Sequence, residues 1–182
     1  HLALITYAAS RCSLLHIFVV EEDRSLFPFE VRMRLVKEGT AHLPNVKVHP
    51  SGPYMISSAT FPTYFLKKGE DAARIQSELD ITLFASRIAP LFHITKRFAG
   101  EEPLDPVTRD YNEAMIRLLP QYSISFIKIA RTTAEAPEGK PEVISASRVR
   151  KLLAETGVTE EVLQLVPPCT AQYLKNEFGA RP

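Results

Sequence analysis

Two short runs rich in β-branched and aromatic residues constrain this chain most: LLHIFVV at Leu14 to Val20 and SISFIKIA at Ser123 to Ala130. The first is apolar on both faces, as expected of a central parallel strand buried under helices. Between and around the runs, apolar residues recur at helical spacing. Strands alternating with amphipathic helices fold as a parallel sheet covered on both faces, so the expected class is α/β.

The remaining elements follow from local signals. Leu2, Leu4, Ile5, Ala8 and Ala9 give a first helix its apolar face, and Arg11 with Cys12 marks its end. Pro28 suits the first turn of a second helix whose core face is Val31, Leu35, Val36 and Ala41. VKVH, Val46 to His49, reads as a strand, and Ser57 or Ser58 can cap a short helix through TFPTYFL. Asp80 stands before Ile81, Phe84, Ala85 and Ile88, the position of an N-cap, and Pro90 interrupts that helix. ITKRFAG returns as a strand. Asp105 followed by Pro106 is an N-cap and N1 pair before the stripe Val107, Tyr111, Ala114, Met115 and Leu118. RTTAEAPEGKPEV is polar, rich in Pro and Gly, and expected to be a mobile loop. A helix over 145–155 ends near Gly157, another starts about Thr159, and Pro167-Pro168 precedes a last one around Ala171 to Phe178.

In sheets of this kind ligands sit beyond the carboxyl ends of the strands. That directs attention to the turns after Val20 and His49, to GEEPLDP after Ala99, and to the loop joining Ala130 to Ser145. With 22 basic and 21 acidic residues, no global field favours nucleic acid or a membrane, and an anion site has to be local. Cys12 and Cys169 lack metal-ligand spacing and are expected to be buried and reduced. No apolar stretch reaches the ~18 residues of a membrane span, and the start lacks a signal peptide pattern, so a soluble, cytoplasmic chain is expected.

The stretch ISASRVRKLL, Ile144 to Leu153, opens a helix with hydroxyls and cations where the dipole favours acids. Ser145 at the N-cap, with Ser147 and Arg150 one turn along, can gather free N–H groups, hydroxyls and a guanidinium around one polyphosphate. The spacing fits equally a capped surface helix with solvated cations. Arg109 can clamp a carboxylate or phosphate or pair with Asp110 or Glu113; Thr108 and Asn112 share its neighbourhood. His16, His42, His49 and His93 have no ligand spacing and read as structural or solvated.

ISASRVR resembles the ISxTxxR signature of nucleotidyltransferases related to phosphopantetheine adenylyltransferase, in which that helix start holds the triphosphate of ATP. VVEEDRSLFPFEVRMRLVKEGT, ISSATFPTYFLK, the ELD of Glu78 to Asp80, FAGEEPLDPVTRDYN and ISASRVR together resemble the citrate lyase ligase family. That resemblance implies a Rossmann-like nucleotidyltransferase fold over residues 1–178, with 179–182 as a tail. It aligns His1 with the histidine of a TxGH motif, the second histidine of the general HxGH form, whose preceding strand, Thr and Gly are absent here. A domain lacking its first strand is therefore expected.

The implied reaction joins acetate to the α-phosphate of ATP, then passes the acetyl group to the thiol of the citrate lyase acyl carrier protein, with Mg2+ bridging phosphates. The resemblance implies that His1 faces the α-phosphate, that Ser145, Ser147 and Arg150 hold the β and γ phosphates, and that Arg109 holds acetate or a phosphate. Acetate is ionised at neutral pH, so no general base is needed. Two alternatives stay open: an adenylyltransferase acting on a phosphate ester, with Lys67, Lys68 and Arg74 as its second basic pocket, and a non-catalytic nucleotide-binding module.

Overall fold

A computed structural model describes residues 1–22, 26–62, 70–101, 105–130, 133–135, 141–143 and 145–179. The chain divides into two compact units, one from 1–15, 30–48 and 131–182 and the other from 16–29 and 49–130. The architecture is α/β, with short parallel strands flanked by helices.

Helix α1, Leu2–Ala9, leads to strand β1, Leu15–Val19. Helix α2, Phe29–Thr40, precedes strand β2, Val46–Pro50, which pairs with β1. The Leu15 amide donates to the Asn45 carbonyl at 2.8 Å, and the Ser51 amide to that of Val19 at 2.9 Å, so the two strands run in the same direction. β1 is less enclosed than its sequence suggests: only Val19 is buried, and the rest of the strand is half-buried. Apolar side chains on both faces of a five-residue strand set its class, while the depth of cover depends on what packs over it.

Within the first unit, Asn45 ties the loop before β2 to the end of α1, donating to the carbonyls of Ala9 and Cys12 at 2.8 and 3.0 Å. Strands β5, Thr133–Glu135, and β6, Pro141–Val143, form an antiparallel pair with Thr133 opposite Val143. This corrects the reading of the whole polar segment as loop. Three-residue strands carry no hydrophobic alternation, and backbone pairing alone creates them. Helices α5, Ala146–Thr156, α6, Glu160–Gln164, and α7, Pro168–Phe178, complete the unit. Ser145 and Thr159 cap the first two as expected, and Gly157, with φ of 71°, ends α5 in a conformation L side chains avoid. Cys12 and Cys169 form no disulfide, and both are half-buried rather than fully buried as expected.

In the second unit, helix α3 spans Glu70–Leu83 and continues through a π-turn, Phe84–Ile88, into one helical turn at Ala89–Leu91. Strand β3, Lys96–Gly100, helix α4, Pro106–Leu118, a 3-10 turn at Leu119–Tyr122 and strand β4, Ser125–Ile129, follow. β3 and β4 are parallel, with Lys96 opposite Ser125 and Gly100 opposite Ile129. Asp105 caps α4, accepting from the Val107 amide at 3.1 Å and the Thr108 hydroxyl at 3.0 Å. The core gathers Phe61, Ile81, Phe84, Met115, Leu119 and Ile124.

Asp80 is not the N-cap its position before an apolar run suggests. It lies inside α3, on the stripe Ala73, Ser77, Asp80, Ile81 and Phe84, and is wholly inaccessible to solvent. Its carboxylate accepts from the Ile56 amide at 2.6 Å, the Thr60 hydroxyl at 3.0 Å and the Tyr111 hydroxyl at 2.7 Å. These donors come from segments remote in sequence, so a helix-interior acid is tolerated only because the fold supplies them. Tyr111 in turn accepts from Arg97 on β3 at 2.9 Å, and the Arg97 guanidinium stands 4.3 Å over the Phe84 ring. Burial pushes the Tyr111 phenol well above its usual range; Arg97 opposes this and Asp80 adds to it.

Two outcomes follow from this core and from the end of α5. Tyr111→Phe should cost about 2 kcal/mol, because Asp80 and Arg97 each lose a buried partner. That gap is fully present below a pH of about 10, the ordinary phenol value, and shrinks above it, since the unfolded chain then releases a proton that buried Tyr111 retains. Denaturant unfolding of both proteins at about pH 8 and about pH 11 measures it, and an unchanging gap would contradict the assignment. Gly157→Ala meets no steric contact but forces an unfavourable φ, so thermal unfolding should register a loss of about 1 kcal/mol.

Candidate functional site

The start of α5 is built as its sequence suggests. Ser145 is extended, with φ of −135°, and its hydroxyl oxygen accepts the Arg148 amide at 3.1 Å. That bond uses a lone pair and leaves the Ser145 O–H able to donate. Ser147 and Arg150 are both exposed, one turn apart, with Arg150 Nη2 donating to Ser147 Oγ at 3.1 Å. No acidic residue occupies the first turn. Arg148 is directed otherwise: its side chain is 14% exposed and pairs with Glu161 on α6 at 3.3 Å. Two arginines two positions apart on one helix therefore take separate roles, one bracing α5 against α6 and one reaching solvent.

The fold thus brings Ser145, Ser147 and Arg150 together on one helix start. His1 is exposed and occupies the N-cap position of α1, where its carbonyl accepts the Ile5 amide at 3.0 Å. Both features belong to the first unit. Arg109 belongs to the second unit, on α4, where its side chain is 57% exposed and lies 3.9 Å from the Asp110 carboxylate. Of its neighbours, Thr108 is engaged by the Asp105 cap, and buried Asn112 donates to the Gly100 carbonyl at 3.0 Å, tying α4 to the end of β3. Arg74 is exposed on α3, whereas Lys67 and Lys68 lie outside the described residues.

Two features of the second unit escaped the sequence. His16 Nδ1 and His49 Nε2 meet at 3.0 Å, one from each strand of the β1–β2 pair, and Phe18 and Phe92 pack around them. Their spacing of 33 residues gives no local signal, and only strand pairing joins them. Glu21, Glu22, Gly52, Pro53 and Ser57 line a shallow cleft of about 280 Å³ beyond the carboxyl ends of β1 and β2. The Ser58 amide donates to Glu22 Oε1 at 2.6 Å at its edge. Its location is the one where α/β sheets hold ligands.

Among the described residues, no three His, Cys, Asp or Glu side chains gather into a metal-binding group, and no helix is long and apolar enough to cross a membrane.

Comparison with known proteins agrees with the motifs. The chain is 42% identical over 176 residues to the [Citrate [pro-3S]-lyase] ligase of Escherichia coli K12, covering 97% of this chain and 50% of that protein. It is 42% identical over 178 residues to the enzyme of the same name from Klebsiella pneumoniae, covering 96% and 50%. The Haemophilus influenzae protein of that name is 37% identical over 175 residues, covering 96% and 52%. The chain therefore spans about half the length of these relatives. A family model for the citrate lyase ligase C-terminal domain matches residues 1–174, and the chain belongs to that family.

Proposed function

We propose that residues 1–178 act as the nucleotide-using, nucleotidyltransferase-like domain of a cytoplasmic acid–thiol ligase that acetylates the carrier thiol of citrate lyase at the expense of ATP. The observation that carries this reading is the exposed Ser147–Arg150 pair at a helix start with no acidic residue in its first turn. That arrangement is suited to an anion with several oxygens. The names borne by the relatives support the substrate class.

In this scheme an acetate oxygen attacks the α-phosphorus of ATP, and the bond to the bridging oxygen breaks, giving acetyl-adenylate and pyrophosphate. The carrier thiolate then attacks the acetyl carbonyl and AMP leaves. His1 donates to the α-phosphate oxygens as charge grows there. Ser145, Ser147 and Arg150 hold the β and γ phosphates, and Arg109 binds acetate or a phosphate. None of these steps asks a side chain to act as nucleophile, so catalysis consists of positioning and charge stabilisation. No three His, Cys, Asp or Glu side chains among the described residues gather to hold a metal, so a magnesium ion would be carried by the phosphates of the nucleotide and would offset their charge.

Pyrophosphate release and acetyl transfer to the carrier thiol should be measured for the chain alone and for a chimaera in which it replaces the matched half of the E. coli relative. A chimaera that binds ATP but releases no pyrophosphate would overturn the reading in favour of a nucleotide-binding module. In the active chimaera, Arg150→Ala should lower the rate about 10²-fold, as for loss of one charge-stabilising donor. Its melting temperature should stay unchanged, because the side chain is exposed. Ser145→Ala should differ by costing about 1 kcal/mol of stability as well, through loss of the α5 cap. Equal rates for wild type and Arg150→Ala would return this helix start to a purely structural role.

A further inference from the structure

Ile56 has φ of 48°. Branching at Cβ makes this left-handed conformation a genuine outlier, and it persists only where surrounding contacts impose it. The contact that imposes it here is Asp80, whose Oδ1 accepts both the Ile56 amide and the Thr60 hydroxyl. Ser57 closes the turn between them, its Oγ accepting the amides of Ala59 and Thr60 at 3.2 Å each.

A buried acid and a strained β-branched residue both cost stability, and an apolar core residue at position 80 with an ordinary turn at 56 would avoid both costs. What the pairing secures is the shape of one wall. Ser57, the residue after Ile56, lines the cleft with Gly52, Pro53, Glu21 and Glu22, and the next amide, that of Ser58, reaches Glu22. Through Tyr111 the same carboxylate also anchors α4, the helix that bears Arg109.

We propose that Asp80 is a positioning residue for the acetylation reaction: it holds Ile56 left-handed and so fixes the wall that Ser57 gives the cleft before substrate arrives. The inference rests on the function proposed above. Preorganisation of this kind matters because displacing a wall by an ångström misaligns reacting groups without changing their chemistry.

Asp80→Asn tests it. The amide keeps the size of the side chain but not its charge: a neutral oxygen accepts less strongly than a carboxylate, so the grip on Ile56 and Thr60 is weakened, and the amide NH2 replaces the oxygen that accepts from Tyr111. In the active chimaera, kcat/KM for acetylation should fall about 10- to 100-fold. Adding Ile56→Gly should restore most of that rate, because glycine adopts the left-handed conformation unaided. The melting temperature of the double variant should stay below that of wild type, since the Tyr111 contact remains impaired. A residue acting on stability alone would show the rate following the melting temperature instead. Wild-type kcat/KM in Asp80→Asn, or a double variant no faster than the single, would overturn the proposal. If Asp80→Asn does not fold, Ile56→Pro takes its place: proline excludes a positive φ and removes the amide that Asp80 accepts, while the carboxylate keeps its bonds from Thr60 and Tyr111. It must then lose rate to a similar degree at a temperature where it is folded, and an unchanged rate would be equally decisive against the role. A wild-type chimaera without acetylation overturns the proposed function and this role together, whereas an active wild type beside a fully active Asp80→Asn overturns the positioning role alone.

Discussion

The second unit is organised around a carboxylate that water does not reach. Asp80 sits on the inner stripe of α3 and binds the segment after β2 through Ile56 and Thr60, and α4 through Tyr111, which is bonded in turn to Arg97 on β3. Four pieces of chain thus share one hydrogen-bond network inside the cluster of Phe61, Ile81, Phe84 and Met115. Apolar packing alone fixes the distance between helices but leaves their axial register loose. Directed hydrogen bonds in a low-dielectric core tolerate little misalignment, so they define that register.

The network also shows why burial of a polar group is conditional. Asp80 spends its acceptor capacity on three donors, Tyr111 both donates and accepts, and Arg97 rests on the faces of Phe84 and Tyr111. Remove any partner and another is left buried without compensation, which is how a network becomes more sensitive than its individual bonds. Its reach extends to the surface at both ends, to the turn bordering the cleft and to the helix that presents Arg109.

The candidate phosphate-holding helix is organised on the opposite principle. Its geometry is local: an extended Ser145, a bond back from the Arg148 amide, and an exposed guanidinium one turn from a second serine. Arg148 on this turn depends on another element, through Glu161. Such a start can be inferred from a few adjacent residues, because caps satisfy amides within three positions of themselves. The same holds for Asp105 with Pro106, for Thr159, and for Gly157 at the end of α5.

The sequence by itself therefore determined the α/β class, the strand segments around 15–19, 46–50, 96–100 and 125–129, the caps at Asp105, Ser145 and Thr159, and through its motifs the family. Each of these is written in residues that are neighbours along the chain. Tertiary structure alone decided that Asp80 is a core acceptor rather than a cap, since its partners stand 24 residues before and 31 after it. It also decided the His16–His49 contact, the pairing of β5 with β6, and the cleft beyond β1 and β2. The physical reason is common to all four. An acid before an apolar run, a histidine in a strand or a polar stretch rich in proline and glycine has the same local propensities whether or not a partner arrives, and only chain folding brings the donor, the second ring or the paired backbone within hydrogen-bond distance.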